Sequence, residues 1–155
     1  MKSFKRHLRR VVGNELVTFE HFNILIIETE SILNSRPLAP ISIDPNNVVV
    51  LTSGHFPIGD CLMSLRERDF RDTSSNRLFK WQYIQQLKQH FWNRWHRIYL
   101  NELISRNKWS KGGHSIREGT IVIIRKDNVP SMQWPLCRVI KVHLDVDDII
   151  RTATV

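Results

Sequence analysis

Two arrays of positive charge are the residues of this chain best suited to chemistry. Near the amino terminus Lys2, Lys5, Arg6, Arg9 and Arg10 occur with no acid between Met1 and Asn14. Between 75 and 117 a second array, including Lys88, Arg94, Arg97, Arg106 and Lys108, faces a single acid, Glu102. Guanidinium and ammonium groups at this density suit phosphate oxygens, because they neutralise backbone charge and release counterions. If about six to ten phosphates were neutralised, affinity for nucleic acid would fall roughly 10³–10⁵-fold between ~50 and ~200 mM salt. The candidate phosphate contacts are Lys5, Arg6, Arg9 and Arg10 in the first array and Lys88, Arg94, Arg97 and Arg106 in the second. The bland alternative for each array is a solvated helix face.

Other chemistries find less support. His90, His96, His114 and His143 have no Cys or His partner at zinc-finger spacing, so no metal is expected. Asp145, Asp147 and Asp148 lack the spacing and closing glutamate of a calcium loop and read as a turn. His55, inside Gly-His-Phe-Pro-Ile-Gly, reads as a structural turn residue. Cys61 and Cys137 belong to no CxxC pair, and buried free thiols are the expectation. There is no nucleophile elbow or phosphate-loop string, and no cofactor is implied.

Composition agrees with a basic binding protein. Of the 155 residues 41% are hydrophobic, enough for a core, and the net charge is +8. That balance favours nucleic acid, an anionic surface or an acidic partner. No apolar run reaches the ~20 residues that span a bilayer, and no secretory leader is evident. The expected setting is intracellular, nuclear or cytoplasmic, with no membrane partner.

The elements that must position these cations follow from periodicity. Phe4, Leu8 and Val11/Val12 share one face of a short helix that Gly13-Asn14 should end. Thr18 is a candidate N-cap for a second helix, with Glu20 in its first turn. Phe22, Leu25/Ile26, Thr29 and Ile32/Leu33 would be its buried face, and Pro37 its stop. Residues 36–60 read as an irregular, ordered connection, and 66–76 as an exposed polar stretch. The longest signal runs from Arg77 to Trp109, free of Pro and Gly. Ile84, Leu87, Phe91, Trp95 and Ile98 form an apolar stripe there, widened by Trp81, Trp92, Tyr99 and Leu103. Its tryptophans suit a core better than a base-stacking platform, while Lys80, Lys88, Arg94, Arg97, Arg106 and Lys108 should stay outside. Such a helix would be roughly 48 Å long at about 1.5 Å per residue. After Lys111-Gly112-Gly113 the pattern turns to strands at 119–124, 137–142 and 149–155, suggesting a small SH3-like barrel.

Taken in order, several strings carry a family resemblance. ILNSRPLAPIS-DP (32–45), LTSGHFPIG (51–59), RLFKWQ (77–82), FWNRW-YL (91–100), G-IVII (119–124) and W-L-RVIKVH (134–143) succeed one another along nearly the whole chain. They resemble the integrase region of Pao/BEL-type LTR retrotransposons, at the end of the RNase H-like core and the carboxy-terminal module that follows it. The resemblance implies an α+β fold: a helical remnant of the core over 1–60, a connector with the long basic helix over 61–112, and a partial SH3-like barrel over 113–155.

The resemblance also implies what is missing. Integrases of this type use three carboxylates to hold two divalent ions. In the family the third carboxylate lies on a Gly-Leu-Trp-Glu motif just before a Lys-Ser-Phe/Met-Lys helix. Met1-Lys2-Ser3-Phe4-Lys5 begins just past it. The expectation is therefore a non-catalytic fragment. At the other end Cys137, Asp145 and Asp148 stand where relatives carry glycines, and the family's last strand is missing after Val155. Glycine enters positive φ more cheaply than aspartate, so a less stable module with an open edge is expected.

The expected function is phosphate-mediated, non-specific DNA binding in support of integration. The alternatives are an oligomerisation or docking module, with a second copy or another integrase polyprotein segment as partner, and a decayed element fragment.

Overall fold

A computed structural model describes residues 2–13, 17–42, 44, 48–62, 67–103, 116–144 and 150–155. The first helix, α1 (Lys2–Val12), ends where Gly13 turns to φ +60° and donates its N–H to Arg9 O at 3.0 Å. That left-handed turn is the glycine stop its sequence foretold. The second, α2 (Phe19–Asn34), starts at Thr18, whose Oγ1 accepts from the His21 N–H at 3.4 Å. Strands β1 (Pro37–Pro40) and β2 (Val50–Thr52) pair antiparallel, and the short helix α3 (His55–Ile58) follows. The turn between them rests on His55: its Nδ1 accepts the Thr52 N–H at 3.0 Å. This residue has the structural role its setting suggested.

The long helix, α4, runs Lys80–Leu103, and its 24 residues make about 36 Å. Before it, a 3-10 turn at Ser75–Arg77 leads into an extended Leu78. Helix entry is marked by Gln82, whose Oε1 accepts the Phe79 N–H at 3.0 Å, one half of a capping box. Residues 104–109 of the expected helix lie outside the described residues.

Helix α4 is the spine of the molecule rather than a spacer. Leu25 of α2 packs in one cluster with Ile84 and Leu87, and Ile32 in the next with Phe91, Trp92 and Trp95. Glu28 meets Lys88, and the Tyr99 hydroxyl donates to Pro37 O at 3.4 Å. The partners advance together along both chains, so α2 and α4 run parallel. Helix α1 covers the same seam through Phe4 and Leu8, the Phe4 ring lying edge-on to Phe91 at 6.0 Å. Burying such aliphatic and aromatic side chains is worth about 1.5–3 kcal/mol each, which explains why this seam organises the fold.

The apolar stripe is narrower at its ends than its sequence suggests. Trp81 and Leu103 are 55% and 51% exposed, because α1 and α2 cover α4 only between them. Phe22 of α2 is likewise exposed. Residues 67–76 of the expected exposed stretch are partly docked, since Gln86 Nε2 donates to Phe70 O and Thr73 O at 2.8 and 2.6 Å. Gln89 donates to Arg68 O and accepts from the Phe70 N–H.

Among the described residues, four strands occupy the carboxy-terminal part where three were expected. β3 (Ile121–Ile123) pairs with β4 (Leu136–Arg138), and β5 (Lys141–Leu144) with β6 (Ile150–Thr154), both antiparallel. The expected strand over 137–142 divides at Val139-Ile140. The Val139 N–H turns to Thr120 O and the Ile140 N–H to Thr154 O, so its halves join different partners. With β1–β2 this makes three two-stranded ladders and no closed barrel among the described residues. The class is α+β. The turn at Asp145 and Asp148 lies outside the described residues.

Contacts cross the three expected segments. The loop after β3 lays Trp134 against α4, edge-on to Trp92, Trp95 and Tyr99 at 5.1, 5.9 and 5.5 Å. The Trp92 indole donates to Val129 O at 2.8 Å and the Trp134 indole to Ser35 Oγ at 3.2 Å. Helical and strand parts thus share one aromatic cluster.

Candidate nucleic-acid interface

Helix α1 sorts its residues cleanly. Phe4, His7, Leu8 and Val11 turn inward, and Lys5, Arg6, Arg9 and Arg10 are exposed. The side chain of Lys2 lies outside what is described. Among the described residues, no carboxylate lies within ion-pair distance of these four cations. Arg9 and Arg10 occupy the last turn, where a cation also complements the helix dipole.

On α4, His90, Arg94, Arg97 and Asn101 recur at three and four residues and form an exposed ridge. The two arrays, remote in sequence, meet in space. Arg10 and Val11 form one wall of an open groove of ≈ 600 Å³, and His90, Asn93, Arg94, Arg97 and Ile98 form the other. His7 beneath it registers the same field. Its pKa is lowered, first by burial and then by the charges of Arg6, Arg94 and Arg10, with Glu102 opposing. A cleft lined by one sign of charge concentrates counterions, and anionic ligands with them.

The β3–β4 loop adds residues that no sequence pattern marked. Arg125 and Lys126 are exposed, and the Arg125 guanidinium donates to Asn101 Oδ1 at 3.4 Å. Asp127 accepts from Arg97 Nη2 at 3.2 Å. His96, one residue from Arg97, is buried, stacked on Trp92 at 4.8 Å and tilted against Trp134 at 5.2 Å. Burial lowers its pKa, and Arg97 and Arg125 lower it further against Asp127. No local pattern pairs 97 with 127; only the docked loop does.

Lys88 leaves the candidate set. It is 3% exposed, and its Nζ lies 2.8 Å from Glu28 Oε2 and 2.9 Å from Glu67 Oε1. A cation enclosed by two carboxylates has no free face for a phosphate, so the sequence expectation at this position is corrected. The helical period placed it outside the main stripe; the docking of 67–73 buried it. Arg106 lies outside the described residues.

The remaining candidates are simpler. Cys61 is exposed and Cys137 half-buried, both free, so the expectation of buried thiols fails at Cys61. Among the described residues, no three His, Cys, Asp or Glu side chains are grouped to hold a metal ion. No helix among them is long and apolar enough to cross a membrane.

With the groove in place, the comparison with known families bears on one wall of it. Residues 79–155 match DUF5641, a family of unknown function. The DUF5641 match takes in α4 and β3–β6, and with them Arg94, Arg97, Arg125 and Asp127. The α1 wall of the groove lies before it. No curated protein and no solved structure matches the chain.

Proposed function

We propose that this chain is a non-catalytic part of a Pao/BEL-type retrotransposon integrase, and that its basic groove holds DNA by the phosphate backbone in support of integration. The observation that carries the reading is the meeting of Arg10 on α1 with Arg94 and Arg97 on α4 across one groove. The ordered family strings supply the integrase setting. Phosphate contact needs convergent cations more than shaped base-reading groups, and little sequence preference follows. The absence of a catalytic role is part of the same proposal, since none of the candidate residues is a carboxylate set suited to two metal ions.

A fluorescence anisotropy titration of a labelled duplex tests it. Lys5, Arg6, Arg9, Arg10 and Arg94 are exposed, with no carboxylate at ion-pair distance among the described residues. Neutralising about five phosphates gives a log K against log salt slope of about −4.5, or about 500-fold between ~50 and ~200 mM. The double variant Arg10→Ala/Arg94→Ala should flatten that slope by about 1.8 while leaving the melting curve in place. Absence of binding at ~20 mM salt, or binding indifferent to salt, rejects the reading.

A further inference from the structure

One acid pairs with a cation of the groove wall, and the fold itself does not require its position. Asp127 reaches Arg97 through a single contact at 3.2 Å, with the two side chains 73% and 51% exposed. A solvated pair of this kind adds little to stability. The turn that carries it is anchored from behind. Asn128 holds the left-handed conformation at φ 57° and accepts from Arg71 Nη1 at 3.3 Å. Val129 O accepts the Trp92 indole N–H. The carboxylate is thus presented to Arg97 by a turn fixed through other contacts.

We propose that Asp127 stands in for a phosphate at Arg97 in the free protein, so that the β3–β4 turn competes with DNA for the groove. This rests on the phosphate-binding reading above and adds a regulating residue to it. A phosphodiester brings two oxygens to a planar guanidinium that can hold both, whereas Asp127 engages it through one. Incoming backbone therefore displaces the carboxylate instead of adding to it. The neighbouring charges fit a competition. Arg94 lies on the same wall as Arg97 and Arg10 on the facing one, Arg125 and Lys126 lie on Asp127's own loop, and Glu102 is an acid near His7 of α1. Removing the Asp127 charge should leave Arg97 as one more free phosphate contact.

The test is duplex anisotropy with Asp127→Asn beside Asp60→Asn, a charge-matched change at an exposed carboxylate on the turn after α3. Asp127→Asn should tighten binding about eightfold at ~0.1 M salt and steepen the salt slope by about 0.9, as one added phosphate contact does. Asp60→Asn should shift affinity less than about twofold, and Arg97→Ala/Asp127→Asn should bind no better than Arg97→Ala. Equal gains from both Asn variants would mean net charge alone is at work and would overturn the inference. So would an Asp127→Asn protein that binds as the unaltered chain does, with the DNA reading left standing. If the unaltered chain binds no duplex at low salt, the underlying reading falls and this inference falls with it.

Discussion

Replacing Lys88 by Met removes a charge that the fold encloses and the proposed DNA surface never uses. Its ammonium sits between Glu28 and Glu67 at 2.8 and 2.9 Å. Gln85, with its amide nitrogen turned to Glu67, donates to both carboxylate oxygens at 2.7 and 3.1 Å. Breaking a buried pair by deleting one partner costs about 3–5 kcal/mol when the remaining charge is stranded. Here the carboxylate side chains keep 24% and 26% of their surface, so they recover part of their hydration. A loss of about 2–3 kcal/mol is the reasoned figure. In a chain of this size it corresponds to a fall in Tm of roughly 4–12 °C. Urea melts followed by circular dichroism read the loss directly, and adding Glu28→Gln and Glu67→Gln should recover much of it. Duplex affinity of Lys88→Met should stay within about twofold of the unaltered chain, since no phosphate reaches this position.

The pH dependence gives the same cluster a second test. Burial alone pulls the Lys88 pKa down; hydrogen bonds to Glu28 and Glu67 more than offset it, and the net shift is upward. A raised lysine pKa contributes stability that is complete below the unfolded value of about 10.4 and is lost as pH rises through the folded value. The gap between the unaltered chain and Lys88→Met should therefore narrow above pH ~10.5. A destabilisation under about 0.5 kcal/mol, or a large drop in DNA affinity, would refute the enclosed-cation account.

Two further outcomes concern the aromatic spine. Phe91 is fully buried between α1 and α2, so Phe91→Ala should cost about 3–5 kcal/mol in denaturant melts, whereas Trp81→Ala should stay within about 0.5 kcal/mol. Burial lowers the His96 pKa, with Arg97 and Arg125 adding to the downward shift. Its contribution is present above the unfolded pKa of about 6.5 and is lost as pH falls through the lower folded value. Thermal melts of His96→Phe should accordingly show a shallower acid-side decline between pH ~7 and ~5, and an unchanged slope would assign that decline elsewhere.

The local signals in this chain were readable because their causes are local. Thr18 caps α2 through its own first turn, Gly13 ends α1 by its own φ, and the i, i+3, i+4 recurrence of Ile84, Leu87, Phe91 and Trp95 marks a buried face. What escaped depends on chain segments that arrive from elsewhere. Lys88 reads as an outward cation, yet it is buried beside Gln85, Gln86 and Gln89: the Glu28 and Glu67 carboxylates enclose it, and the backbone of 68–73 supplies the partners of Gln86 and Gln89. The division of 137–142 at Val139 depends on Thr120 and Thr154 claiming neighbouring N–H groups. Each basic array was visible separately; their meeting at Arg10 and Arg94 was not, because helical period fixes a face and not its neighbour.

The angular sorting of α4 lets one helix serve both stability and the proposed binding. An apolar sector faces α1 and α2, an amide-rich sector carries the 67–73 segment, and the ridge of His90, Arg94 and Arg97 remains outside. Arg94 and Arg97 are the immediate neighbours of Trp95 and His96, which are buried among Trp92, Tyr99 and Trp134. The backbone beneath these cations is consequently held by ring packing on the opposite side. Exposed arginines retain rotamer freedom, but their Cα positions are fixed, which lowers the ordering cost of engaging a regularly spaced backbone. The same packing fixes the turn that brings Asp127 to Arg97, because Val129 O is bound to the Trp92 indole. The Arg94/Arg97 ridge and the turn carrying Asp127 are therefore set by one aromatic cluster, and a change in that cluster alters both together.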